Sequence, residues 1–359
     1  MKKILILLAC FIQASFSIFA QEQLPVRGFC IEAPNSDQIN RFVKFVDEEL
    51  STRNVNVLIL RIDYNYQFES HPELSKENGL SKKDITKLVR VCEKNKIRLI
   101  PQINLLGHQS WAGKIGKLLQ VYPQFDETPH VIMPENHVWP NDDGLYCKSY
   151  CPLNPDVHPI VFDLVDEICD VFGSTAFHAG MDEVFYIGED SCKRCSGFGK
   201  ATLFANEVNA VRNHLALKNR QLWIWGDRLI DGKTTGIGAW EASMNHTSEA
   251  IDLIAKDVMI CDWHYNKPFQ TPVLFAMKGL SVITCSWNKP DCAVAQVQDM
   301  FRFRQKTSFQ LKDRYQGMMQ TVWSGAKSFM DEFYETNPTE MENESSCFKR
   351  LFSEIALAK

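Results

Sequence analysis

The feature that most restricts the fold of this chain is an alternation that runs its whole length. Apolar runs of strand length take turns with segments of helical period. Residues 26–32 read as a first strand, and residues 36–50 then repeat Ile39, Phe42, Val43, Val46 and Leu50 at helical spacing. Residues 55–62 form an apolar run closed by Asp63 and Tyr64, as suits a strand buried on both faces of a parallel sheet. Ser81, with Asp84 three positions on, is a variant capping box that opens the next helix. A strand over 97–103 ends at Asn104, followed by Gly107 and His108. After an aperiodic insertion, 109 to about 154, a helix (157–171), a strand (from 176) and another helix (201–217) follow. Five further strand candidates end near Asp227, Trp240-Glu241, Asp262 to Tyr265, Trp287 and Trp323. That makes nine candidates, one more than a closed eight-stranded barrel needs, and 280–287 or 317–323 is expected to be the surplus. Strand–helix alternation implies a parallel sheet with right-handed crossovers. With no glycine-rich phosphate loop after the first strand, a dinucleotide fold is disfavoured. The expectation is an α/β chain folded as a single (β/α)8 TIM barrel over residues 21–337, with a polar tail over 338–359 that is a surface helix or disordered.

Chemistry in such a barrel collects where the C-terminal ends of the strands meet. Here those ends are crowded with polar and aromatic residues: Asp63, His108, His178, Asp182, Glu183, Trp225, Asp227, Trp240, Glu241, Tyr265, Trp287 and Trp323. The run Ala176-Phe177-His178-Ala179-Gly180-Met181-Asp182-Glu183 starts as a buried strand and delivers two consecutive carboxylates at its end. Neighbours on a strand point to opposite faces, so both acids reach one pocket only if the backbone leaves strand geometry. Gly180 would permit that departure. The bland alternative is a strand end followed by a solvated acidic turn. Tryptophan and tyrosine faces that stack on sugar C–H groups, interleaved with carboxylates for hydroxyls, favour a carbohydrate pocket instead.

Composition narrows the partners. The chain of 359 residues carries a net charge of −5 and no basic run, which argues against nucleic acid. Met1-Lys2-Lys3, an apolar stretch from Ile4 to Phe19 and Ala20 describe a cleaved signal peptide over 1–20, hence export to the periplasm or outside. Leu7-Leu8-Ala9-Cys10 resembles a lipobox, but leaves a short apolar stretch before the cysteine. No later segment has the ~20 apolar residues of a membrane span. Cys30, Cys92, Cys169, Cys261 and Cys285 sit in apolar surroundings and read as core thiols. Cys147, Cys151, Cys192 and Cys195 lie in polar loops; disulfides, a four-thiolate zinc site and free thiols all remain open for them.

His178-x-Gly180-x-Asp182-Glu183 resembles the signature of glycoside hydrolase family 20, the β-N-acetylhexosaminidases. Arg27-Gly28, Asp63, Gly107-His108, Trp240 and Trp323 follow the family's order, over roughly residues 26–325, with the greatest likeness to short, barrel-only bacterial members. The resemblance implies an exo-acting, retaining hydrolase that releases terminal N-acetyl-β-hexosamine, GlcNAc or GalNAc, with no cofactor. Glu183 is then the general acid and base, and Asp182 orients the substrate's 2-acetamido group, which itself attacks the anomeric carbon. Arg27, Asp63, His108, His178, Trp225, Asp227, Trp240, Tyr265, Trp287 and Trp323 are the implied substrate-binding set. Three departures stand out. The α+β domain often found before the barrel is missing, Gln102 stands where many members have Glu, and Ser324-Gly325 follows Trp323 where many members have a sugar-binding Glu at the latter position. Rival expectations are a two-carboxylate retaining glycosidase with Glu241 as nucleophile, a non-catalytic carbohydrate-binding protein, and a metal-dependent hydrolase using His108, His178 and Asp182.

Overall fold

The computed structural model describes residues 24–111, 113–132, 147–335 and 342–358. The expected signal peptide with Cys10, part of the insertion (133–146) and the start of the expected tail (338–341) lie outside the described residues. Eight parallel strands close into a barrel: β1 (Val26–Glu32), β2 (Val57–Arg61), β3 (Arg98–Leu105), β4 (Ala176–Gly180), β5 (Gln221–Trp225), β6 (Met259–Trp263), β7 (Ser281–Ser286) and β8 (Tyr315–Thr321). Each strand pairs with its sequence neighbours, and β8 returns to pair with β1, Val26 opposite Gly317 and Cys30 opposite Thr321. The barrel expectation therefore holds, but the surplus strand is neither 280–287 nor 317–323. It is 236–241, which belongs to the connection from β5 to β6. The reason is conformational: Gly236 and Gly238 take φ of +69° and +97°, which no strand accommodates.

The period of two along each strand sorts the core into two layers. Cys30, Ile59, Ile100, Trp223, Trp225, Cys261, Ile283, Cys285 and Met319 point inward and fill the barrel. Their neighbours Phe29, Ile31, Leu58, Leu60, Phe177, Leu222, Ile224, Ile260 and Met318 point out to the helices. Those helices include α1 (Ile39–Phe45), α2 (Lys82–Lys94), α3 (Val157–Phe172), α4 (Lys200–Ala216), α5 (Thr271–Met277), α6 (Pro290–Lys306) and α7 (Ala326–Glu335). The Ser81–Asp84 capping box opens α2 as expected.

Past α7, the segment expected to be a polar tail carries another helix, α8 (Glu344–Leu357). Its Cys347, Phe348, Leu351 and Phe352 are buried. Phe348 lies 5.1 Å from Phe29 and 5.8 Å from Phe329, ring centre to ring centre, so α8 covers the outer face of β1. Burying one such side chain contributes about 1.5–3 kcal/mol. The polar appearance of the segment comes from the other face of an amphipathic helix.

Candidate active site

The site begins where β4 stops being a strand. Gly180 and Met181 adopt φ of +67° and +64°, and Glu183 adopts +50°. A Cβ at position 180 would lie 2.2 Å from Asn104 Oδ1, so glycine is required both for the turn and for the approach of β3. Left-handed backbone at Met181 and Glu183 costs of order 1–3 kcal/mol each, strain of the kind that concentrates at functional sites. Its result is that Asp182 and Glu183, adjacent in the chain, converge. His108 Nε2 stands 3.1 Å from Asp182 Oδ2 and 3.2 Å from Glu183 Oε2. His108 is itself at φ +54°, after Gly107, whose hydrogen leaves room for the Asp182 carbonyl.

Charge organises this trio. Burial works against the His108 imidazolium, but Asp182 and Cys147 together outweigh it and hold the imidazole protonated well above its ordinary range. Burial would raise the Asp182 carboxyl, and the imidazolium overrides it, so Asp182 stays below its usual value. Glu183 is fixed from its backbone: its N–H donates to Asp227 Oδ2 at 2.9 Å. Burial pushes the Asp227 carboxyl up to about 6, against the opposing pull of Arg228. The Arg228 guanidinium donates to Asp227 Oδ2 at 2.7 Å and to the carbonyls of Ala239, Trp240 and Ala242. One buried arginine thus ties the Trp240 loop to the residue that positions Glu183.

Aromatic walls adjoin the carboxylates. His178 is wholly buried, its Nδ1 accepting from the Gly180 N–H, and its ring lies 4.6 Å from Trp225. Trp225 meets Trp323 at 5.9 Å, Trp323 Nε1 donates to the Tyr265 hydroxyl at 3.0 Å, and Tyr265 meets Trp287 at 5.3 Å. Trp240 stands edge-on to Phe185 at 5.2 Å and packs against Cys147. Asp63 accepts from the Asn104 N–H at 2.8 Å, and burial raises its carboxyl.

Not every expected residue arrives. Arg27 sits at the opposite, N-terminal end of β1, where its guanidinium donates to the carbonyls of Leu24 and Asn54. As the second residue of its strand, it lies away from the end that carries the acids. The residue that sequence reasoning missed is Arg61, which closes β2. Its guanidinium covers the Trp323 ring at 4.3 Å and donates to the Val322 carbonyl, while its buried Nε–H finds no acceptor among the described residues. A charge ending an otherwise apolar run was the available signal. Glu32, its register partner on β1, extends a carboxylate oxygen to within 3.3 Å of where a Cβ on Gly325 would lie.

Cys147 was grouped with the other loop cysteines, and the structure separates it from them. Its sulfur lies 3.4 Å from His108 Nδ1 and 3.8 Å from Glu183 Oε2, and burial pushes the thiol up to about 12. The metal set His108, His178 and Asp182 is not assembled as such: the pair His108–Asp182 is in contact, while His178 is turned to its own backbone. Glu241, the nucleophile of the two-carboxylate scheme, is engaged by His264 Nδ1 at 2.9 Å.

Beta-hexosaminidase A of Caenorhabditis elegans is 26% identical over 211 residues, 55% of this chain and 35% of that protein. Lacto-N-biosidase of Bifidobacterium bifidum is 21% identical over 215 residues, 56% of this chain and 17% of that protein. The chain thus spans about a third or less of the curated relatives it matches. Among solved structures, the chitobiase of Flavobacterium johnsoniae superposes with a TM-score of 0.64 at 18% identity, over 93% of this chain and 50% of that one. The beta-N-acetylhexosaminidase of Bacteroides fragilis gives 0.60 at 15%, over 92% and 65%. At such identities the superpositions establish the shared fold. The model of the glycosyl hydrolase family 20 catalytic domain matches residues 48–332, most of the sequence and every barrel strand but β1, and the chain therefore belongs to that family.

Proposed function

We propose that this protein hydrolyses terminal N-acetyl-β-hexosaminides with retention, the substrate's own acetamido group serving as nucleophile. One observation carries the reading: two consecutive carboxylates are bent into one pocket and share His108 Nε2 at 3.1 and 3.2 Å. Both come from one strand end and converge on one imidazole nitrogen, whereas a protein nucleophile and its acid face each other about 5 Å apart across the bond. Asp182 and Glu183 suit a division of labour on one side of the sugar. Asp182, held ionised by His108, orients the acetamido N–H and offsets the positive charge that develops as its oxygen closes an oxazolinium ring on the anomeric carbon. Glu183 gives its proton to the departing oxygen, then takes one from the incoming water. Tyr265, which accepts from Trp323 and also meets the Thr321 hydroxyl, is the candidate partner of the acetamido oxygen. Trp225, Trp240, Trp287 and Trp323 wall the ring.

At the sugar's far edge, Glu32 and Arg61 replace two groups the resemblance implied. Glu32 occupies the space in front of Gly325, where many relatives carry a glutamate, and Arg61 brings a guanidinium to the end of the barrel that Arg27 does not reach. We assign them to sugar hydroxyls. The basic and apolar N-terminus supports export as the location.

A matched pair of aryl β-glycosides tests the mechanism, one with a 2-acetamido and one with a 2-hydroxy group. The expected result is turnover of the first, very little of the second, and strong inhibition by a stable thiazoline analogue of the ring. Equal turnover of both, with covalent labelling of a carboxylate such as Glu241 by a 2-fluoro sugar, would replace this mechanism with the two-carboxylate one.

A further inference from the structure

Three cysteines and a glutamate meet at a point the reaction does not use. Cys151 Sγ lies 3.3 Å from Cys195 Sγ and 3.6 Å from Cys192 Sγ, and Glu127 completes a group whose ligand atoms all fall within 4.8 Å of one another. These separations are far beyond the ~2.05 Å of a disulfide. They approach the roughly 3.8 Å between sulfurs on a tetrahedral ion with metal–sulfur bonds of about 2.3 Å. All four residues are buried. Glu127 is 1% exposed; one of its oxygens accepts from the Glu189 N–H, and the other is buried with no hydrogen-bond partner. The Glu127 carboxylate faces the thiols of Cys192 and Cys195. Burying a carboxylate oxygen against weak S–H donors is costly unless a cation takes their place. The Cys192-x-x-Cys195 turn adds a further sign, since the Cys192 sulfur receives the backbone N–H groups of Arg194 and Cys195. Such a turn aims two sulfurs at one point.

We propose that Cys151, Cys192, Cys195 and Glu127 bind a structural zinc ion. Three soft thiolates and one carboxylate, all from protein and all buried, make a closed four-coordinate set that favours zinc over harder cations. Binding forms three sulfur–metal bonds and one oxygen–metal bond and releases the three thiol protons to solvent. The ion would clamp two connections together. Glu127 and Cys151 come from the long connection after β3, which also carries His108 and Cys147, while Cys192 and Cys195 come from the loop after β4 that carries Asp182 and Glu183. It would therefore hold the two halves of the carboxylate–imidazole trio in register without touching substrate.

The test uses the full chain, purified from zinc-supplemented culture and measured for metal by mass spectrometry, then exchanged with cobalt(II). One zinc per chain is expected, and the cobalt form should show sulfur-to-metal charge-transfer bands of three-thiolate intensity. Cys192→Ser should lose the metal. Glu127→Gln should keep the thiolate bands but bind zinc more than about ten-fold more weakly. Cys147→Ser should retain the zinc, which separates this group from the His108–Cys147–Glu183 cluster. If Cys192→Ser does not fold, the cobalt spectrum of the unaltered chain and the affinity of Glu127→Gln decide. Zinc-free protein with three alkylatable thiols, a disulfide between any two of these cysteines, or zinc lost from Cys147→Ser but kept by Cys192→Ser would each overturn the proposal.

Discussion

Asp182 and Glu183 differ by one place in the chain, yet their surroundings give them different work. Glu183→Gln keeps the shape and the Asp227 contact through the backbone but removes the transferable proton. It should cost about 10²–10⁴ in rate on a disaccharide, and less in glycosylation with an activated aryl leaving group. Near wild-type hydrolysis of the disaccharide would remove Glu183 from the acid's role. Asp182 depends on His108 for its charge. Burial alone would raise its carboxyl, and the imidazolium reverses that. His108→Gln removes the main opposition to burial, so the Asp182 pKa rises and ionised Asp182 is lost at a higher pH than before. The acid limb of kcat/KM against pH should move toward neutrality, and an unmoved limb would show that His108 does not set the charge of Asp182. Glu32 belongs at this scale too. Glu32→Gln should raise KM and leave kcat nearly unchanged if it binds hydroxyls distant from the reacting bond, as steady-state kinetics would reveal.

Among elements, the connection from β5 to β6 departs furthest from the regular barrel, and a second buried histidine holds it. His264 lies between Glu241 of that connection, at 2.9 Å, and Asp262 of β6, at 3.2 Å. Burial disfavours its charge, but Asp262 and Glu241 outweigh burial and raise its pKa to about 9. The sign follows from linkage. A histidine whose folded pKa is raised contributes stability in full below its unfolded pKa, about 6.5, and loses it as pH rises through about 9. Melting temperature should therefore fall across that window, and His264→Gln should flatten the fall. An equal decline in both proteins would show that other groups set it. The sequence made the regular elements legible because the strands came as short apolar runs and the first helical segment repeated its apolar residues at a period near 3.6. It misled at 236–241, where an apolar run between glycines imitates a strand and only backbone conformation distinguishes the two. The strand-end carboxylates were legible for a different reason. Gly180 beside two acids demands an unusual turn, and the turn is there. Arg27 and Cys147 were misplaced because a sequence does not say which way a long side chain runs or which of two nearby cysteines turns inward.

At the scale of the whole molecule, the barrel's closure is completed from outside the strands. The tail looked polar because half of an amphipathic helix is polar, and no local signal assigns its other face to β1. Its first residue reaches further still. The Glu344 carboxylate accepts from Trp287 Nε1, from the Trp323 and Ser324 N–H groups at 2.7 and 3.3 Å, and from the Ser324 hydroxyl. Two walls of the pocket, on the loops after β7 and β8, are thus anchored to the end of the chain. Glu344→Ala would leave those donors in a half-buried place without acceptors, at about 1–3 kcal/mol for each one that stays buried and unpaired. The melting temperature should drop by several degrees, and the tryptophans, freed from their anchor, should bind the sugar less well. The acids on β4 keep their own contacts to His108 and Asp227, so KM should rise more than kcat falls. Glu344→Gln retains one carbonyl acceptor for the tryptophans and should lie between the two. A Glu344→Ala protein with unchanged melting temperature and unchanged KM would mean that α8 contributes packing against β1 and nothing to the pocket.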